Sequence, residues 1–280
     1  MYSQLYRQFI LLLHSVIIAI FCNLIVLPAS FRHDDDRFVA CSQSYSCGST
    51  IQNIGYPFWG NTRHRYCGKE GFELKCHHNQ YSLIETGPQK FRVLKINSPE
   101  RIITIARDDL WDDFCPGIFT ETNLGHALFH IAPNNVRYFF RLFYDCSGKI
   151  SLLQNSSSFR CKVEGRERIA FYFSGQLLGE KLPNLTSICN NYIRVRVSWS
   201  SVDHLRAGEF GKALNKGFDV EYTARFCKPC ESSGGMCGSN CSTSNPLTVY
   251  STSNPFVCFC RDKALPKSCA SGKYPVLFLH

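Results

Sequence analysis

The chain has 280 residues, with 31 Lys or Arg against 22 Asp or Glu, so its formal net charge is +9 at pH 7. Its sixteen cysteines are too many for an ordinary intracellular protein and predict an exported, disulfide-linked chain. Export and positive charge favour an acidic extracellular partner, such as an acidic polysaccharide, and argue against nucleic acid.

An apolar leader opens the chain. Residues 9–27 are almost all apolar, follow the lone basic Arg7 and precede Pro28-Ala29-Ser30. A basic start, an apolar stretch and a small-residue exit form a secretory signal peptide, which we predict over residues 1–30. The stretch is close to the ~20 residues that span a bilayer, so an uncleaved membrane anchor is the alternative.

Strands dominate the rest of the chain. Residues 91–96 and 101–105 flank Asn97-Ser98-Pro99, which predicts a hairpin, and aromatic-rich runs at 136–144 and 168–173 predict two further strands. Short runs of this kind, each bounded by turn residues, are typical of an all-β fold.

The segment 191–199 alternates between apolar and basic residues. Arg194 and Arg196 occupy one predicted face, and the other carries Ile193, Val195, Val197 and Trp199. One short helix is expected over 208–216, ended by Gly217. The fold class is therefore mainly β: two small disulfide-rich β modules with one short helix in the second.

The predicted modules cover residues 41–146 and 159–269, with a boundary after Cys146. Residues 41–146 carry 11 basic and 10 acidic side chains, whereas residues 147–280 carry 17 basic and 9 acidic ones. The positive charge therefore lies in the second half. Three Asn-x-Ser/Thr sequons are expected glycosylation sites: Asn155, Asn184 and Asn240.

Two blocks of cysteine, glycine and aromatic residues have a specific spacing. The first consists of Cys41-x5-Cys47-Gly48, Tyr56-Pro57-Phe58, Cys67-Gly68 and Phe72-x-Leu74-x-Cys76. The second consists of Gly217-Phe218-x-Val220, Cys227-x2-Cys230, Ser233-Gly234-Gly235-x-Cys237-Gly238 and Phe256-x-Cys258-x-Cys260. The first block resembles the galacturonan-binding module of plant wall-associated receptor kinases. The second resembles the cysteine-rich module that follows it in the leaf-rust-resistance-type branch of receptor-like kinases.

The resemblance implies a receptor ectodomain that binds de-esterified pectin. Such receptors continue into a membrane helix and a cytosolic Ser/Thr kinase, but this sequence holds no glycine-rich nucleotide loop and no His-Arg-Asp or Asp-Phe-Gly triplet. We therefore expect a non-catalytic chain, either a secreted binder or a fragment of a receptor. Membrane association is expected only for a fragment or an uncleaved leader.

Cys22 lies in the predicted leader, and fifteen cysteines follow it. Cys241 is additional to the family's spacing, so we expect it to be the odd thiol. Fourteen are expected in disulfides: Cys41, Cys47, Cys67, Cys76, Cys115, Cys146, Cys161, Cys189, Cys227, Cys230, Cys237, Cys258, Cys260 and Cys269. The first six are expected to pair among themselves, and the later eight among themselves.

Candidate ligand-binding residues follow the Tyr56-Pro57-Phe58 motif. Tyr56 and Phe58 are expected to build the core, because aromatic rings dominate small cores. Rings that stack on sugars and cations that bind carboxylates are expected at Trp59, Arg63, Arg65 and Lys69. Arg194 and Arg196 form a second candidate pair, for which a solvated sheet face is the alternative.

Other interpretations remain open at this point. The acidic run 108–113 could serve a glycosidase or bind calcium, although a solvated loop is expected. Cys227, Cys230, Cys258 and Cys260 have a zinc-like spacing, but disulfides are expected in an exported chain. We expect no cofactor and no metal. The functional alternatives are recognition of a peptide or protein ligand in defence signalling and, last, a carbohydrate-active enzyme.

Overall fold

A computed structural model describes residues 34–125, 128–133, 138–147, 157–163, 165–174, 182–201, 209–224, 227–240 and 256–269. The predicted signal peptide, Asn155 and Cys241 lie outside these residues. Within the described parts, no helix has the length and apolar character needed to cross a membrane. From Asp35 onward, the described residues belong to one compact unit.

The fold is mainly β, as predicted. The strands are β1 Tyr45–Cys47, β2 Ile51–Ile54, β3 Leu74–His77, β4 Tyr81–Thr86, β5 Gln89–Asn97, β6 Ile102–Arg107, β7 Phe129–Ile131, β8 Phe139–Cys146, β9 Ser157–Val163, β10 Arg166–Ser174, β11 Cys189–Arg196, β12 Phe218–Tyr222, β13 Met236–Ser239, β14 Phe256–Phe259 and β15 Ala264–Leu265. They pair antiparallel in four sheets, in the orders β1-β2, β3-β4-β5-β6-β12-β7, β11-β8-β10-β9 and β13-β14-β15.

The described residues hold more helix than predicted. The helices are α1 Asp36–Ser42, α2 Leu182–Ile188, α3 Phe210–Asn215 and α4 Cys227–Ser232. The predicted helix corresponds to α3, which is shorter than expected and stops before Gly217. Gly217 has a φ of +64°, and a Cβ there would lie 2.2 Å from the Ile105 carbonyl oxygen, so both the turn and the close approach require glycine. The other three helices, of six or seven residues each, were not predicted.

The six-stranded sheet buries the larger core. Phe91, Val93, Ile103 and Ile105 on β5 and β6 pack with Phe218 and other residues, and the predicted hairpin around Asn97 is confirmed as β5–β6. Strand β12 lies between β6 and β7, so the second half of the chain supplies an interior strand to a sheet made otherwise by the first half.

The four-stranded sheet packs β8 and β11 against α3. Ile193, Val195 and Val197 are buried, as their alternation predicts, and contact the cluster that holds Phe210. The prediction for Trp199 is wrong: the strand ends at Arg196, and Trp199 stands in a 3-10 turn with 61% of its surface exposed. Side chains alternate between two faces only within a strand, and β11 ends at Arg196, so the Trp199 indole is not held on the buried face.

Seven disulfides cross-link the described residues, and they use the fourteen cysteines named above. The pairs are Cys41–Cys67, Cys47–Cys76, Cys115–Cys161, Cys146–Cys189, Cys227–Cys237, Cys230–Cys258 and Cys260–Cys269. The expected separation of early from late cysteines is wrong for Cys115 and Cys146. The pairing of β8 with β11 places Cys146 opposite Cys189, which brings those sulfurs together across the predicted boundary.

The disulfides around α4 leave no room for a side chain at Gly235. A Cβ there would lie 2.5 Å from the Cys258 sulfur, 2.7 Å from that of Cys269 and 2.9 Å from that of Cys230. We expect Gly235→Ala to destabilise the protein by about 1–3 kcal/mol through overpacking and to lower its oxidised yield. Gly55→Ala, where a Cβ meets nothing within 4 Å, is the control. Equal yield and equal urea midpoints for the two variants would contradict the prediction.

Candidate functional site

The aromatic residues before Trp59 build the core, as expected. Phe58 is fully buried, and its ring meets those of Phe72 and Tyr222 edge to face at centroid distances of 5.5 and 5.1 Å. Tyr56 packs edge-on against Phe256 at 5.7 Å, and burial raises the pKa of its phenol to about 12. The Phe58 ring is thus closed to a sugar, and Tyr56 is partly buried against the disulfide cluster around Cys230.

Arg63 is a structural residue, and the prediction that it contacts a ligand is wrong. The residue is 4% exposed. Its guanidinium donates hydrogen bonds to the carbonyl oxygens of Cys41 (2.7 Å), Phe58 (3.1 Å), Cys67 (2.9 Å) and Gln43. Burial lowers its pKa to about 10, so the group stays charged at neutral pH. The guanidinium thus ties three chain segments together and is closed to solvent.

Trp59, Arg65 and Lys69 do lie together at the surface. The Trp59 indole N–H donates to the Lys69 carbonyl oxygen at 2.9 Å, which fixes the half-buried ring. The exposed Arg65 guanidinium lies 5.9 Å from the centroid of that ring, and the Lys69 ammonium lies 5.8 Å from the centroid of Phe72. Arg65 is therefore a neighbour of the Trp59 ring, whereas the Lys69 ammonium lies by Phe72.

A surface cleft of about 360 Å³ opens beside this ring, and we call it the Trp59 cleft. Its lining residues are Trp59, Arg65, Glu70, Gly71, Glu73, Lys75 and Glu85. Arg65 lies 3.7 Å from Glu70, and Lys75 lies 3.1 Å from Glu85. The cleft thus carries both signs of charge, and its cations already have carboxylate neighbours.

Arg194 and Arg196 lie on a second surface, on the four-stranded sheet. Their guanidinium carbons lie 5.6 and 5.7 Å from the centroid of the Phe139 ring, and that of Arg141 lies 5.5 Å from it. The pairing of β8 with β11 sets Arg194 opposite Arg141 and Arg196 opposite Phe139. We call Phe139 and these three arginines the Phe139 cluster.

Glu121 pairs with Arg194 of the Phe139 cluster. Glu121 accepts a hydrogen bond from Arg194 at 3.1 Å, and both side chains are substantially exposed, at 49% and 40%. Burial lowers the pKa of Arg196, and the charge of Arg194 lowers it further, whereas Glu121 opposes that effect. Sequence reasoning missed Phe139 and Arg141 because the register between β8 and β11 cannot be read from one sequence. It missed Glu121 because the approach of a loop 73 residues away in sequence leaves no local signal.

The acidic run 108–113 serves structure. Asp108 accepts from Arg92 at 2.7 Å, and Asp109 accepts from the buried Arg107 at 2.6 and 3.0 Å. The Arg92 guanidinium also lies over the rings of Tyr81 and Trp111. Two of the carboxylates are thus neutralised by arginine. The zinc-like cysteines are all in disulfides, so their sulfurs are not thiolate ligands.

Two family models match this chain. The model described as wall-associated receptor kinase galacturonan-binding matches residues 41–107, and the one described as wall-associated receptor kinase C-terminal matches residues 160–263. The first match includes the Trp59 cleft, and the second includes β11. Phe139, Arg141 and Glu121 fall in neither.

Curated proteins that resemble the chain include plant receptor-like kinases. It is 28% identical over 216 residues to leaf rust 10 disease-resistance locus receptor-like protein kinase-like 1.4 of Arabidopsis thaliana, covering 76% of this chain and 30% of that protein. It is 27% identical to the 2.8 member of the same series and 26% identical to the 2.1 member, also from Arabidopsis thaliana. Those alignments cover 78% and 88% of this chain, and 23% and 38% of the relatives. The chain therefore spans well under half the length of these relatives. No solved structure matches it.

Proposed function

The chain belongs to the wall-associated-receptor-kinase type of ectodomain, and from this premise we propose that it is an extracellular, non-catalytic module that binds acidic cell-wall polysaccharide, with de-esterified pectin as the ligand. A receptor ectodomain of this type faces the cell wall, where galacturonate is a source of repeated carboxylates. The charge of +9 suits such a ligand.

The Trp59 cleft is the observation that carries this proposal. It places a fixed indole beside the exposed guanidinium of Arg65, inside the segment that the galacturonan-binding model matches. Arg65 and Glu70 are 52% and 66% exposed at their side chains and 3.7 Å apart, so their pairing is worth at most about 1 kcal/mol. A galacturonate carboxylate can replace Glu70 with a two-pronged hydrogen bond while the sugar ring packs on the indole.

Binding to polygalacturonate is expected to weaken steeply as salt rises from about 0.01 to 0.15 M, because exposed ion pairs are screened. Methyl-esterified pectin should bind less well, since the ester has no negative charge. Arg65→Ala should weaken binding by about 1–2 kcal/mol. Isothermal titration calorimetry with the purified chain measures all three effects.

Lys95→Ala, an exposed lysine on β5 outside the cleft, is the matched control and should bind as the parent does. Binding that ignores salt, esterification and the Arg65 substitution would overturn the proposal. Sustained cleavage of pectin fragments would instead favour a carbohydrate-active enzyme.

A second candidate function is recognition of a peptide or protein, and one surface favours it. A groove of about 430 Å³ is lined mainly by rings and aliphatic side chains, which include Tyr66, Phe256, Val257, Leu265 and Pro266, and also by Arg37, Ser239 and the sequon residue Asn240. Such a groove suits an apolar anchor residue of a partner. A ligand held there should bind with little dependence on salt, which separates it from polygalacturonate in the titration above.

A further inference from the structure

The Phe139 cluster brings three positive charges close together, and their mutual repulsion costs free energy. Three guanidinium groups surround one ring, each within 5.7 Å of its centroid. The ring attracts each cation, but like charges at this separation repel one another. Arg141 makes no ion pair with any residue that the structure describes. The arrangement is therefore suited to a further anion.

The same face carries an exposed aromatic ring. Tyr192 precedes Arg194 by two positions on β11, so both side chains leave the same face of the strand. Tyr192 is 50% exposed, and its other side is supported by Phe143, with ring centroids 5.8 Å apart. A rigid ring next to cations is the combination that an acidic sugar chain needs, because sugar rings pack on aromatics while carboxylates bind guanidinium groups.

Glu121 indicates which anion fits. Its carboxylate accepts a hydrogen bond from Arg194, although Glu121 lies on a separate loop of the chain. Gln89 holds that loop in place by donating hydrogen bonds to the Thr120 hydroxyl and to the Glu121 carbonyl oxygen. A carboxylate of the protein thus already binds this cluster, and both partners of the pair are exposed enough for exchange with solvent anions.

We propose that the Phe139 cluster, together with Tyr192, is a second carboxylate-binding site that takes consecutive uronate units of the same acidic polysaccharide, with Glu121 as an internal competitor for Arg194. The inference rests on the proposed function and extends it to a surface made by β8 and β11. Two cationic surfaces on one chain would let a long acidic polymer bind more tightly than a short one, through effective concentration.

The test measures the binding of a defined oligogalacturonate by calorimetry to the full chain and to charge-neutralising variants. Arg141→Gln with Arg194→Gln should weaken binding by about tenfold or more, since each lost charge-assisted hydrogen bond contributes measurably. Glu121→Gln should strengthen it severalfold, because the internal competitor is removed. Arg160→Gln is the matched control: Arg160 lies at the edge strand β9, is exposed, and pairs with Glu167.

The outcomes separate this inference from the function on which it rests. Parent protein that fails to bind oligogalacturonate overturns both. Binding that is weakened in Arg65→Ala, yet unchanged in the Arg141/Arg194 variant, overturns the second site alone. A Glu121→Gln variant that binds more weakly, or an Arg141→Gln variant that melts well below the parent without ligand, would assign the cluster to folding and also overturn it. An acidic peptide that outcompetes the oligogalacturonate only in chains with Arg141 intact would overturn the choice of polysaccharide.

Discussion

Replacing Arg63 by alanine is expected to lower the free energy of unfolding by about 3–5 kcal/mol. The guanidinium donates to four carbonyl oxygens and is almost fully buried, so its loss leaves polar groups without partners and a cavity beside the Cys41–Cys67 disulfide. Urea unfolding of the oxidised protein, or the secreted yield where the variant does not fold, measures this effect.

Arg63→Lys should fail to restore stability, because one ammonium cannot reproduce the planar fork of a guanidinium. Arg65→Ala is the control. Arg65 lies two positions after Arg63 and has an exposed side chain, so removing that side chain should change the free energy of unfolding by less than about 0.5 kcal/mol. If Arg63→Ala and Arg65→Ala unfold at the same urea concentration, the structural role assigned to Arg63 is wrong.

A chain that ends after Cys146 is expected not to fold, although it contains the whole predicted first module. The six-stranded sheet would lose β12, which pairs with β6 on one side and β7 on the other. Cys115 and Cys146 would also lose their partners, Cys161 and Cys189, and each native disulfide of this kind contributes about 2–5 kcal/mol. Circular dichroism and thiol titration of residues 35–146 measure both losses.

Residues 35–269, which retain both halves, serve as the positive control and should show cooperative unfolding. A cooperative transition for residues 35–146, with all thiols oxidised, would contradict the prediction and support independent modules. The boundary between two modules after Cys146 remains a prediction.

Local patterns in the sequence predicted much of the fold. Alternation in 191–197 predicted a half-buried strand, and Asn97-Ser98-Pro99 predicted the hairpin, because both depend on neighbours along the chain. The partner of β12 and the pairing of Cys115 with Cys161 could not be predicted, since they depend on contacts between residues far apart in sequence. Trp199 shows the limit of a periodic pattern, which does not indicate where its strand stops.

The candidate site was predicted less well. Proximity in sequence correctly placed Arg65 beside Trp59, but it could not distinguish the exposed Arg65 from the buried Arg63 two residues earlier. Both are basic residues in a turn-rich segment, and only the positions of the surrounding carbonyl oxygens decide which one turns inward. The Phe139 cluster depends on register between β8 and β11, so Arg194 and Arg196 were predicted without Arg141.

The position of β12 also sets an order of events during synthesis. Thr104 on β6 donates a hydrogen bond to Asp219, a residue 115 positions later, so this contact waits until most of the chain has left the ribosome. Until then β6 has an unpaired edge, and such edges invite pairing with other chains. Slow, late closure of the sheet follows from this long separation. The nascent protein should therefore depend on chaperones most strongly in the interval before residue 222 emerges.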